Sequence, residues 1–324
     1  MTSPDPSGVS RRRFGGLLLA TASLGAVPRA SGQASQAVSS AIPAGVLSAR
    51  FGKYRLTALL DGMLSMGRDF FLSEDAQIDE LLAASGIDGQ AIAAPICSFL
   101  LQSADQTILI DTGMGAIDAF GPGFGHTLAG LLAVGVSPEE IDMVVITHAH
   151  PDHIGGLLTA EGQKVFSKAE IVLNETEAKF WTDEGQMAQA DEAAKGMFQF
   201  ASQALALYGD QVTQVAPGKE IASGLTLRAA PGHTPGHSVL RIDGGEQQLM
   251  MIADLLHNAE VHTALPETGF AFDTDPAQAA ATRKAFFEEL AAEKTLVAGT
   301  HLHFPGLGRI LQEGSAYRYL PASL

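Results

Sequence analysis

The chain has 324 residues, 46% of them apolar, and a formal net charge of −16. That length and apolar content are enough for one large domain with a substantial core. So acidic a chain lacks the basic surface that displaces counterions from nucleic acid, and its single cysteine, Cys97, excludes an internal disulfide and any cysteine-cluster metal site.

In chain order, Ser10-Arg-Arg-Arg-Phe14 resembles a twin-arginine export signal. The apolar run at 15–27 that follows is short and rich in Gly, Ala and Ser, so it suits a cleaved signal better than a bilayer span. Cleavage is expected near Ala30 or Ala34, which makes 1–34 the signal, 35–50 a loose Ser/Ala-rich lead-in and 51–324 the folded domain. Export by this route implies folding before transport and a periplasmic or secreted location. Residues 54–60, 96–102 and 107–110 read as strands, and 127–134 as a helix. Residues 141–147 read as a buried strand leading into a ligand-rich turn. Further strands are expected at 171–173, 225–229, 238–242 and 248–252. The stretch 174–207, dominated by Ala, Glu, Gln and Met, reads as helical. Residues 276–293 read as another helix, opened by a cap in Asp273-Thr-Asp275.

The turn itself reads Thr147-His-Ala-His-Pro-Asp-His153. His148, His150, Asp152 and His153 are ligand types that zinc and similar cations prefer. His148 and His150 are two apart, so an extended strand end points both the same way. Asp152 and His153 fall in the turn and can face a second point, which suits two adjacent metals better than one. Three more candidates lie just past apolar strands: His233 in Pro231-Gly-His-Thr-Pro-Gly-His237, Asp254 after Met250-Met-Ile-Ala, and His301 after Leu296-Val-Ala-Gly-Thr.

With these motifs in order, the sequence resembles the metallo-β-lactamase-fold hydrolases, whose signature is H-x-H-x-D-H followed by separated His, Asp and His. The resemblance covers nearly the whole chain after the signal. It implies an α/β protein with an αββα sandwich and a dinuclear site at one edge of two packed sheets. It further implies that His148, His150 and His233 hold one metal, that Asp152, His153 and His301 hold the other, and that Asp254 bridges them together with a water or hydroxide. The stretch Gly299-Thr-His-Leu-His-Phe-Pro-Gly-Leu-Gly-Arg-Ile310 is similar to the C-terminal ligand segment of the methyl parathion hydrolase-like branch. Leu109-Ile-Asp-Thr-Gly113, Phe120-Gly-Pro and Lys179-Phe-Trp181 also resemble that branch, which includes phosphotriesterases and aryl-ester and lactone hydrolases.

The expected chemistry is attack by a metal-bridging hydroxide on a carboxylic ester or lactone. Two zinc ions are the expected cofactors, with manganese, cobalt and iron also suited to the mixed N/O ligands. Asp254, Asp152 and His257 are the candidate catalytic residues. His257 follows Asp254 by three residues, where homoserine-lactone hydrolases of this fold carry a tyrosine and the methyl parathion hydrolase type is apolar. A histidine there could donate to a developing oxyanion or alkoxide, which favours carboxylic esters and lactones. Asp111, in Asp-Thr-Gly, can either orient a ligand histidine or serve the turn alone. By resemblance, Phe120, Trp181 and Phe198 would wall an apolar pocket for aryl or acyl groups. His303 competes with His301, His237 reads as a supporting residue, and His126 and His262 carry no assignment.

The alternatives are a phosphotriesterase, a glyoxalase-type thioesterase and a mononuclear iron persulfide dioxygenase. A β-lactamase is disfavoured, because enzymes with that activity typically lack the bridging aspartate seen here as Asp254. The expected partner is a small-molecule substrate, and the related branch often forms homodimers.

Overall fold

The computed structural model describes residues 45–87, 91–117 and 121–322. The expected signal, residues 1–34, lies outside them. Seven strands build a first sheet in which sequence order is spatial order: β1 (Val46–Phe51), β2 (Tyr54–Met66), β3 (Ile92–Gln102), β4 (Thr107–Ile110), β5 (Met143–Ile146), β6 (Glu170–Asn174) and β7 (Val212–Val215). It is antiparallel from β1 to β4 and parallel from β4 to β7. A second seven-stranded sheet also follows chain order: β8 (Glu220–Ala222), β9 (Leu225–Ala229), β10 (Ser238–Asp243), β11 (Gln248–Met251), β12 (Leu296–Ala298), β13 (Leu307–Glu313) and β14 (Ala316–Pro321).

The sandwich follows from side-chain alternation along the strands. In β5, Met143 and Val145 face the second sheet, while Val144 and Ile146 face the opposite way, towards helices. Both faces are covered, so the strand reads as an unbroken apolar run. In β11, Leu249 and Met251 join the inter-sheet core, and Met250 packs outward with Phe286, Phe287 and Leu290 of the helix Pro276–Glu293. The helix Glu192–Tyr208 covers the outer face of the first sheet through Phe198, Ala201, Ala204 and Leu205. The layers are therefore helix, sheet, sheet, helix.

Two expectations change in detail. The lead-in to residue 50 is not loose at its end, because Val46–Phe51 pairs with β2, Val46 opposite Leu59 and Phe51 opposite Tyr54. Its Ser and Ala composition hid a strand that lies at the sheet edge and is half exposed. The helical stretch 174–207 is three helices, Glu175–Trp181, Glu184–Gln189 and Glu192–Tyr208, because Asp183 and Asp191 each cap a new start. Among the described residues no helix is long and apolar enough to cross a membrane.

Candidate metal centre

The candidate ligands gather where strands of both sheets end. His148 and His150 follow β5, Asp254 follows β11 and His301 follows β12, while His233 lies in the β9–β10 connection. Two main-chain bonds join the sheets here: Ser238 N–H donates to the Thr147 carbonyl and Cys97 N–H to the Thr300 carbonyl. Ligand atoms of His148, His150 and His233 all lie within 4.8 Å of one another, and so do those of Asp152, His153 and His301. Asp254 reaches both groups. Its Oδ1 is 3.1 Å from His153 Nε2, and its Oδ2 is 3.3 Å from both His233 Nε2 and His301 Nε2.

Three of the imidazoles are held from behind, while His150 turns its Nδ1 inward, towards His148 and His233. His153 Nδ1 is 2.8 Å from Asp111 Oδ2, His233 Nδ1 is 2.8 Å from Asp273 Oδ1, and His301 Nδ1 is 2.8 Å from the Pro95 carbonyl. An Nδ1–H donated outward leaves the Nε2 lone pair facing inward, the tautomer a metal needs. Asp111 also accepts from the amide and hydroxyl of Thr147, so it orients a ligand histidine and closes the turn together. His237 takes no place among the candidate ligands. It bonds the Ala230 carbonyl through Nδ1 and accepts from Asp254 N–H through Nε2. Asp111 and Ala253 adopt left-handed φ values of 54° and 43°, uncommon for residues with a Cβ. Both follow a strand end at the site, where such strain tends to concentrate.

The donor set fits divalent cations. His153 Nε2 and Asp254 Oδ1, 3.1 Å apart, are buried and form no well-aligned hydrogen bond among the described residues. Five imidazoles and two carboxylates brought together this way are costly unless cations sit among them. The charge balance points the same way. Burial works against ionised Asp254, yet the rings of His153, His301 and His148 hold its carboxyl well below the usual range. Burial also lowers His233, but hydrogen bonds to Asp254 and Asp273 outweigh it and raise the ring to about 9.

His257 also enters the centre. Its Nε2 lies 3.1 Å from Asp254 Oδ2, and its ring stacks on Phe270 at 3.7 Å between centroids and 9° between planes. His262 supports it, accepting from the His257 main-chain N–H. His303 turns away and pairs with Glu260 at 2.7 Å, half exposed, which leaves His301 as the inward candidate ligand. His126 is exposed.

The expected pocket walls need correction. Trp181 and Phe198 are 3% and 4% exposed and belong to the core between the first sheet and its helices. Trp181 reaches the centre only by packing edge-on against His150, at 5.5 Å. Its indole N–H donates to buried Glu177, which draws the ring inward although the helix sequence is polar. Phe120 lies outside the described residues. Phe270 and Phe272 stand at the centre instead, Phe272 at 6.4 Å from His150. Sequence reasoning missed Glu177 and Asp273 as well. Asp273 looked like a helix cap, but Asp275 caps that helix.

An αββα sandwich with this histidine–carboxylate cluster at its strand ends defines a protein of the metallo-β-lactamase type. A model of the metallo-beta-lactamase superfamily matches residues 94–301, and the chain belongs to that superfamily. Among solved structures it is similar to the hydrolase AbOPH, at 30% identity and TM-score 0.82, covering 87% of this chain and 99% of that one. It is also similar to AidC, described as a dizinc quorum-quenching lactonase, at 29% identity and TM-score 0.81, covering 86% and 98%. An N-acyl homoserine lactonase of Bacillus thuringiensis is 24% identical over 233 residues, 66% of this chain and 83% of that protein. A probable metallo-hydrolase of Mycobacterium tuberculosis is 26% identical over 187 residues, and the chain spans 58% of its length.

Proposed function

We propose that the protein hydrolyses carboxylic esters or lactones of uncharged small molecules, using two divalent metal ions, zinc foremost. His148, His150 and His233 would hold one ion and Asp152, His153 and His301 the other, with Asp254 shared. The observation that carries this reading is the reach of Asp254 to imidazoles of both groups, with His257 beside it. When bound, the cations would supply a nucleophile from water at neutral pH and draw electron density from the substrate carbonyl.

The chain's own residues supply the rest. Burial lowers the His257 pKa to about 3 despite Asp254, so at pH 7 the ring is neutral and acts as an N–H donor. Flat stacking on Phe270 fixes the ring plane, so that donor costs little reorganisation when a carbonyl oxygen gains charge. Phe272, partly exposed beside His150 and backed by buried Phe270, offers apolar surface that suits an acyl or aryl group. The likeness to AidC supports a lactone over a phosphotriester.

The twin-arginine-like segment supports export, and the related branch supports a homodimer. Cell fractionation and size-exclusion chromatography test these two points. The main test is metal content per chain of the purified protein, paired with turnover of an aryl ester, a lactone and a phosphotriester. Two divalent ions with chelator-sensitive ester or lactone turnover are expected. Preference for the phosphotriester, or one iron and no hydrolysis, would sink the reading.

A further inference from the structure

Glu177 is completely buried and belongs to no candidate ligand set. It sits on the short helix Glu175–Trp181, whose start is capped by the Asn174 side chain. Its carboxylate accepts four hydrogen bonds. Oε1 takes the Ala149 amide at 2.9 Å and the Trp181 indole N–H at 2.6 Å. Oε2 takes the Thr234 hydroxyl at 2.7 Å and the Gly236 amide at 3.0 Å. Three of these four donors cannot act as acceptors, so the ionised carboxylate accepts all four and only Thr234 could receive a proton from it. Burial pushes the Glu177 pKa up, and the four bonds oppose that push.

The origin of the donors is the informative part. Ala149 lies between His148 and His150, and Thr234 follows His233. Trp181 packs against the His150 ring at 5.5 Å. Three of the four bonds thus tie Glu177 to the two loops that present one ligand trio, and the fourth holds Trp181, on Glu177's own helix, against His150. The approach is close enough to require glycine: a Cβ on Gly236 would stand 2.1 Å from Glu177 N. The other trio has separate anchors, Asp111 for His153 and the Pro95 carbonyl for His301.

We infer that Glu177 is a positioning residue for one of the two metal ions, setting the spacing between the His148–His150 loop and the His233 loop and so the affinity of that ion alone. This rests on the two-ion part of the function proposed above and not on its substrate. Carboxylate-anchored supports of this kind typically tune metal affinity by about 10- to 100-fold.

The test is a titration of metal-free full-length protein with Zn²⁺ against a competing chelator, with no substrate present. Glu177→Gln places an amide NH₂ against a donor whichever way it turns. In this variant one ion should bind as in the wild type, and the other about 10- to 100-fold more weakly. Thr234→Val removes one bond of the four and should give a smaller shift in the same ion. Circular dichroism confirms folding, and Thr234→Val and Glu177→Asp carry the comparison if Glu177→Gln does not fold. Wild-type affinity for both ions in a folded variant overturns the inference, as does equal weakening of both, which marks a merely structural role. A wild-type chain that binds two ions but cleaves no ester or lactone would sink the substrate reading and leave this inference standing.

Discussion

Asp111 Oδ2 lies 2.8 Å from His153 Nδ1, although the two residues are 42 positions apart. Asp111 comes from the end of β4 and His153 from the turn after β5, and the parallel β4–β5 pairing brings them together. The carboxylate fixes which ring nitrogen faces the centre. Asp111→Asn keeps the size but loses the charge and half of the acceptor capacity. It should weaken the ion at Asp152, His153 and His301 by about 10- to 100-fold, measured by the same zinc titration. Unchanged affinity would show that the turn alone needs Asp111.

His257 separates binding from chemistry. His257→Phe preserves a ring on Phe270 but removes the N–H beside Asp254. Lactone or ester kcat should fall about 100-fold or more with two metals still bound, as for loss of one oxyanion donor. A variant with full turnover would reduce His257 to a packing residue.

Arg283 governs the loop that carries His257. The residue is 1% exposed, and its guanidinium donates to the carbonyls of Leu255, Pro266 and Thr268. Burial lowers its pKa to about 10, so it stays charged at neutral pH. Arg283→Met leaves three buried carbonyls without that donor. The expected loss is about 2–4 kcal/mol of stability, read from urea unfolding.

Cys97 is fully buried, and burial, with Asp61 adding to it, raises its thiol pKa to about 12. A group raised in the folded state contributes stability below its unfolded pKa and loses it as pH rises towards the folded value. That window opens near the free-thiol pKa of about 8.5 and closes near 12. Native protein should resist alkylation at pH 8 and react only with denaturant present. Rapid native labelling would show that the β3 core opens.

Strand and helix positions were legible where the chemistry is local. Residues 107–110 and 225–229 alternate or run apolar between turn signals, and the structure forms strands there. The edge strand β1 was not legible, because half of its residues are exposed and they carry little apolar pattern. The six-residue run from His148 to His153 stands out because ligand types so dense rarely serve packing alone. By contrast, Glu177 and Asp273 look like ordinary helix-start residues in sequence.

The sequence by itself determined the ligand types, their local spacing and the apolar strands that end on them, since these depend on residue identity and short-range periodicity. Only the tertiary structure decided what stands behind and beside the ligands. Asp273 meets His233 across 40 positions, and Glu177 joins the loops at Ala149 and Thr234. Trp181 turns into the core because its indole N–H finds Glu177 there. A hydrogen bond between distant segments exists only once two sheets have packed, so no local pattern in the chain encodes it.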